Sequence, residues 1–540
     1  MKSAYLSKKN FEDLDLGFIF ERLQLSSPYG ENAKKSLKPF LRADIKMLET
    51  AYDRLAAAMD LYQRQRANFL ELKSLLKEVK QLDNTFDRIA EGETLSVTEL
   101  FEVKQLAMVM RRITEALKGL HWNRTVGAYV LEPTDAIIDL LDPEHSGVGT
   151  FYIYSLYSER LTKIRNRLEL LDKQAKQQLK SRIDMLIDEG YPVSASGDLR
   201  ISVRDVALLS RIKSDERFTY RSDVPMYSLF SVKIDESFKT QKDQLLLEEE
   251  DEEYEVRKHL TKTLESTLAL LLDNTQKIGE IDLLIAKAQF SVAFHLIRPT
   301  LTPSLDVTII EGRHLKVAYS LERTGKTFTP ISVSLKKAVT LITGSNMGGK
   351  TVSLKMIGQV VAMAQYGFFV PCVHAEIPIF DYLFISVGDF QSIDMGLSTF
   401  GGEIVEIEQA IKRENELGLI LIDELARGTN PLEGYAISRA LIEHLSGFQS
   451  RSVITTHFDG LTSVPETTHY QVNGLSGIDL NEIRDKIEAE GVALLHEYMD
   501  YRLSEVSSLQ EIPKEALRIS ELMGLDRRII LRAKDILGDK

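Results

Sequence analysis

Residues 344–351 read Gly344-Ser345-Asn346-Met347-Gly348-Gly349-Lys350-Thr351, directly behind the apolar run 338–342 and ahead of a helix-like stretch. A glycine-rich turn between strand and helix can wrap a phosphate in successive backbone N–H groups. In that arrangement Lys350 reaches the β and γ oxygens, and the Thr351 hydroxyl is available to Mg²⁺. A second element lies downstream, where the unbroken apolar run 417–422 ends in Asp423-Glu424. Such a run is the pattern of a parallel strand buried on both faces, and its carboxyl end is where α/β sheets hold ligands. Asp423 is suited to the Mg²⁺ shell, and Glu424 to orienting and deprotonating an attacking water.

Two further elements complete the chemistry. Residues 452–457, Ser-Val-Ile-Thr-Thr-His, read as another buried strand ending in polar groups. His457 there can bond a γ-phosphate or the attacking water, or can simply be satisfied by backbone. Between the two carboxylates and the glycine loop lies Leu397-Ser398-Thr399-Phe400-Gly401-Gly402-Glu403, ahead of an amphipathic run. Hydroxyls at a helix start can bind an anion, including one held by a second subunit, and can equally form a capping box.

The order of these elements, with Ala426-Arg427-Gly428-Thr429-Asn430 after the acidic strand, resembles the ATPase domain of the MutS family. That family is an ABC-type ATPase branch whose best-known members sense mismatched DNA. Glu311-Gly312-Arg313-His314 and the segment 367–372 are similar to its flanking motifs. Gly388-Asp389-Phe390-Gln391-Ser392-Ile393 and Lys350-Thr351-Val352 are closer to the paralogues that carry an Smr nuclease domain. The resemblance implies ATP and Mg²⁺ as ligands, and a homodimer with composite sites in which Ser398 of one subunit faces the γ-phosphate held by Lys350 of the other. It further implies that Phe328 stacks on the adenine and that His496 lies near it.

The chain also departs from the mismatch-repair pattern. Phe11-Glu12-Asp13 is not a mismatch wedge, the sequence turns helical at once, and no Smr-like segment is read before Lys540. A trimmed form of this kind also resembles the MutS-like subunit of the reactivase for adenosylcobalamin-dependent lysine aminomutase. There the ATPase serves a protein client alongside a second reactivase subunit. Two functions therefore compete: a clamp-type switch on DNA, in the mismatch-repair and recombination group, and a remodelling ATPase.

The elements that must position this chemistry follow from patterning. At 540 residues the chain exceeds one core and is expected to form several domains. An α/β ATPase domain is expected at 296–480, with a helical dimerisation segment at 481–540. Before it, residues 1–145 read as a helical core, with a turn cluster at 142–147. Residues 146–295 read as a lever arm of two long helices, about 155–188 and from 248 to about 290, around a small β insertion at 189–235. The insertion is expected to hold strands at 191–193, 199–203 and 228–234. The first long helix carries Arg160, Lys163, Arg165, Arg167, Lys173, Lys176, Lys180 and Arg182, the one basic patch that could meet DNA. The run 248–255 holds seven acids in eight positions and would repel phosphate.

Net charge is −13, so no global basic field draws nucleic acid. The single cysteine, Cys372, excludes an internal disulfide and suits a reducing compartment. No apolar stretch reaches the ~18 residues of a membrane span, and no signal-peptide core follows Met1. A cytoplasmic protein without membrane partners is expected.

Overall fold

The computed structural model describes residues 5–147, 149–344, 349–387, 399–426, 429–458, 460–475, 499–506, 517, 520–521 and 524–538. It divides into two compact units. One contains Met1–Lys77, Ala116–Val130 and Gln276–Lys540, and the other contains Glu78–Glu115 and Leu131–Thr275. Residues of the expected block 1–145 fall in both units, Met1–Lys77 and Ala116–Val130 grouping with Gln276–Lys540.

The described residues form thirteen strands. Strands β1 (Asp198–Ser202), β2 (Phe218–Val224) and β3 (Tyr227–Val232) precede β4 (Thr300–Leu301), β5 (Val307–Gly312) and β6 (Ile331–Leu335). Then come β7 (Val339–Thr343), β8 (His374–Ile377), β9 (Tyr382–Ser386) and β10 (Gly418–Ile422). Strands β11 (Arg451–Thr455), β12 (Thr467–Gly474) and β13 (Asp500–Glu505) complete the set.

In the larger unit, six strands form a sheet in the order β13-β12-β7-β11-β10-β9. All neighbours are parallel except β13, which runs antiparallel to β12. Every residue of β7 and β10 is buried, which explains why both read as continuous apolar runs. Gly418 opens β10 because a Cβ there would lie 2.1 Å from Cζ of Tyr382. A smaller sheet has the order β4-β8-β5-β6.

The helix Lys350–Gln365 follows β7 and is buried along almost its whole length. At Gly358 a Cβ would meet Leu14 Cδ2 at 2.4 Å and Leu421 Cδ1 at 2.6 Å, so the helix is clasped between the N-terminal segment and β10. Polar ties fix that clasp. Gln359 donates to Leu14 O (3.0 Å), Asn10 donates to Ile385 O (2.7 Å), and the Leu383 amide donates to Tyr5 O (2.9 Å). At the other end of the helix, the buried Lys287 ammonium donates to Tyr366 O at 2.9 Å, complementing a helix C-terminus. Burial holds that ammonium down to about 7. Cys372 is a free, buried thiol, as expected of a packing residue.

In the smaller unit, Ser158 caps the helix Glu159–Asp188 and Asp235 caps the helix Glu236–Glu265. The two run antiparallel, joined by Ile164, Leu171 and Leu245 with Leu168 and Phe238. Strands β1-β3-β2 form an antiparallel sheet whose core includes Ile183, Leu186, Leu199, Phe218 and Phe230.

Three expectations for this arm need correction. The acidic run does not open the second helix, which starts at Glu236, capped by Asp235. The helix also does not continue to 290. It ends at Glu265, and another begins at Leu268, because Ser266 and Thr267 turn their hydroxyls onto the carbonyls of Thr263 (2.7 Å) and Leu264 (2.8 Å). Residues 191–193 form no strand. Tyr191 instead buries its ring in the sheet's core, with its hydroxyl on Asp215 at 3.1 Å.

The acidic run has a structural role. Arg165 pairs with Glu249 (2.7 Å) and Glu253 (2.6 Å), and Arg160 pairs with Glu252 (3.4 Å). Lys163 and Lys173 pair within their own helix, with Glu159 and Glu169. The two stretches therefore meet through Arg160 and Arg165, which engage three of the seven acids across the helix pair. Among the described residues, Arg167, Lys176 and Lys180 have no ion pair.

Candidate functional site

The predicted residues converge where β7, β10 and β11 end. Gly344 leaves β7 with φ 135°, and a Cβ there would come within 3.0 Å of Val472. Gly349 closes the loop with φ 78° and caps the helix that Lys350 begins. Both positions require glycine. Ser345, Asn346, Met347 and Gly348 lie outside the described residues, as do Ser398 and His496.

Lys350 folds back toward the end of β7. Its ammonium donates to Gly344 O at 2.8 Å and stands 3.2 Å from Glu424 Oε1, with both side chains largely buried. Thr351 donates its hydroxyl to Asp423 Oδ2 at 2.7 Å. A hydroxyl and a carboxylate oxygen in contact at the end of a buried strand are the donor set by which proteins hold Mg²⁺ beside phosphates, so the residues fit that ion.

The acidic pair is held by groups from neighbouring elements. The Asp423 amide donates to Ser386 O (2.9 Å) on β9. Thr455, the last residue of β11, donates to Asp423 Oδ1 at 2.6 Å and accepts from the Glu424 amide at 2.9 Å. One hydroxyl thus sets both carboxylate residues. Past β10 the backbone turns sharply, with Glu424 at φ 48° and Ala426 at φ 63°, conformations that cost a non-glycine residue energy. The buried Glu403 carboxylate accepts from the Ala426 amide at 3.3 Å. Burial, reinforced by the charge of Glu406 and opposed by the Ala426 amide, pushes Glu403 up to about 7.

His457 follows β11 as expected but is exposed, with its ring 4.5 Å from that of Phe458. Among the described residues it bonds neither Asp423 nor Glu424. Phe328 lines a cavity of about 780 Å³ with Val317, Leu321, Gly349, Val352 and Tyr501. An apolar cleft with two aromatic residues, opening onto the last loop glycine, suits a flat base whose phosphates extend toward Lys350. Tyr501 sits against Gly349, since a Cβ there would be 3.1 Å from its ring.

The roles of Thr455 and Tyr501 were missed by sequence reasoning, and Glu403, which the sequence offers as a capping-box acid, instead accepts from the Ala426 amide. Of the two missed roles, only that of Thr455 carried a local signal, as part of the Thr-Thr-His run.

Residues 340–538 match the family described as MutS domain V. The chain is 27% identical over 487 residues to the Endonuclease MutS2 of Shouchella clausii, covering 87% of this chain and 58% of that protein. It is 31% identical over 289 residues to the DNA mismatch repair protein MutS of Desulfitobacterium hafniense, covering 53% and 32%. With the DNA mismatch repair protein MutS of Bacillus cytotoxicus it shares 27% over 489 residues, covering 87% and 51%. The chain spans about half the length of the curated relatives it matches.

Proposed function

We infer that the chain is a MutS-family protein working as a Mg²⁺-dependent ATPase that drives a conformational switch on DNA. The observation that carries the ATPase is the convergence of Lys350, the Thr351–Asp423 pair and Glu424 at the ends of parallel strands. MutS domain V, which residues 340–538 match, is the family's ATPase domain.

In this reading the loop 344–349 and Lys350 bind the triphosphate of ATP, and Phe328 stacks on the adenine, with His496 nearby. Thr351 and Asp423 hold Mg²⁺, which neutralises charge on the phosphate oxygens when bound. Glu424 orients a water in line with the γ-phosphorus and accepts its proton as the oxygen–phosphorus bond forms. The bond to the β-bridging oxygen breaks, and ADP leaves with that electron pair. His457 steadies the γ-phosphate from the end of β11. Ser398 of a second subunit completes the site, so that ATP favours a closed dimer and hydrolysis releases it.

DNA as the client draws on relatives named for mismatch repair. With Arg160 and Arg165 engaged by the acidic run, Arg167, Lys176, Lys180 and Arg182 are the residues of that basic helix without an ion pair among the described residues, and in this reading they are the ones to meet phosphate. The aminomutase-reactivase alternative draws no support from these comparisons. Glu424→Gln tests the reading: nucleotide binding is retained, since Lys350 and Thr351 are intact, while turnover falls about 10²–10⁴-fold. Turnover at the parental rate would remove Glu424 from the role.

A further inference from the structure

We propose that Glu403 is a positioning residue for the Glu424 turn, tying the helix Thr399–Ile411 to the geometry of the hydrolytic carboxylate. The proposal rests on the role given to Glu424 above.

The helix and the acidic strand come from separate parts of the chain, and the Ala426 amide donates to Glu403 Oε1 between them. Burying a carboxylate is costly unless it is paired or hydrogen-bonded. Among the described residues no lysine or arginine pairs with Glu403. What it bonds is the amide of a buried alanine in the left-handed region, two residues past Glu424, which is itself left-handed. Strained backbone persists only where surrounding groups over-determine it. Here Thr455 holds the turn at the Glu424 amide, and Glu403 holds it at the Ala426 amide.

The test uses Glu403→Met, which keeps volume and removes the acceptor, with Glu403→Ala as the second variant should methionine not be accommodated. Either substitution should lower kcat about 10–100-fold while ATP affinity stays within about threefold, the pattern of misplacement rather than lost binding. Glu403→Gln, whose amide oxygen still accepts, should keep most of the activity. Adding Ala426→Gly to Glu403→Met should restore turnover at least about tenfold, since glycine adopts this φ unaided. Parental kcat in Glu403→Met, or a loss that neither glutamine spares nor Ala426→Gly relieves, would overturn the proposal. If Glu424→Gln itself turns over normally, the assignment of Glu424 fails, and the tie is read from exchange of the Ala426 amide. That amide should be protected in the parent and at least about tenfold faster in Glu403→Met; equal exchange would overturn the tie.

Discussion

A single hydroxyl, that of Thr455, bridges the two acidic residues at the end of β10, donating to one side chain and accepting from the other's amide. Thr455→Val preserves shape and removes both bonds. Groups that orient metal ligands typically contribute 10–100-fold, so ATPase activity should fall by about that factor and its Mg²⁺ requirement should rise. A Mg²⁺ titration of turnover checks this, and Thr455→Ser should recover most of the loss. At this scale the sequence was most readable where chemistry is local. Lys350 and Thr351 are adjacent, Asp423 and Glu424 are adjacent, and each pair follows an apolar strand. Which threonine of 455–456 turns toward the carboxylates depends on the register of β11 beside β10, which no spacing within the run reveals. Glu403 and Tyr501 act across the tertiary structure; Tyr501 left no local trace, and the local pattern around Glu403 pointed to a helix cap rather than to the Ala426 amide.

Secondary elements tell a similar story. The helix Glu159–Asp188 was legible from its apolar stripe and lies within a few residues of expectation. Helix Val206–Lys213 and strand β2 were not, because β2 exposes all but Phe218 and so lacks alternation. The break at 266–267 was in principle visible, since adjacent Ser and Thr hydroxyls compete for helix carbonyls. The pairing of the acidic run was hidden for a different reason: its partners lie on another helix more than eighty residues away. A double-mutant cycle between Arg165 and Glu249 should give a coupling of about 0.5–1 kcal/mol in chemical denaturation, held low because both side chains remain about one quarter exposed. Charge reversal at Arg160 or Arg165 would therefore disturb the arm itself. The cleaner DNA test replaces Arg167, Lys176 and Lys180 by Glu. Binding to duplex DNA should weaken, and the log–log salt slope should shrink by about 0.9 for each phosphate no longer neutralised, while ATPase activity persists.

For the molecule as a whole, acid stability has an identifiable contributor. His314 is fully buried, accepts from the Val317 amide through Nδ1, and faces Asp15, Lys316 and Lys355. Burial dominates over the nearby Asp15 and lowers its value to about 4. The native state therefore keeps it neutral while the unfolded chain, near 6.5, binds a proton first. Its contribution is present above pH 6.5 and is lost as pH falls toward 4, on the order of 3 kcal/mol. His314→Asn, which can still cap the helix Leu315–Arg323, should flatten that part of a stability-versus-pH curve. The composite site is a further whole-molecule prediction. Mixing Lys350→Ala and Ser398→Arg proteins places both lesions in one site of a mixed dimer and leaves the other intact. Random mixing should recover about a quarter of parental ATPase, as expected for symmetric dimers; no recovery in proven mixed dimers would count against sharing.

The clasp around Gly358 also bears on biosynthesis. Asn10 bonds a strand 375 residues further along the chain, and Leu14 seals the helix Lys350–Gln365 against β10. At translation rates of roughly 5–20 residues per second, the early helices wait about 20–75 s for their docking partner. During that interval Leu14, fully buried in the finished protein, lacks the helix and strand that cover it there. Nascent chains should therefore engage holding chaperones early and release them only after the strands around residue 420 have left the ribosome.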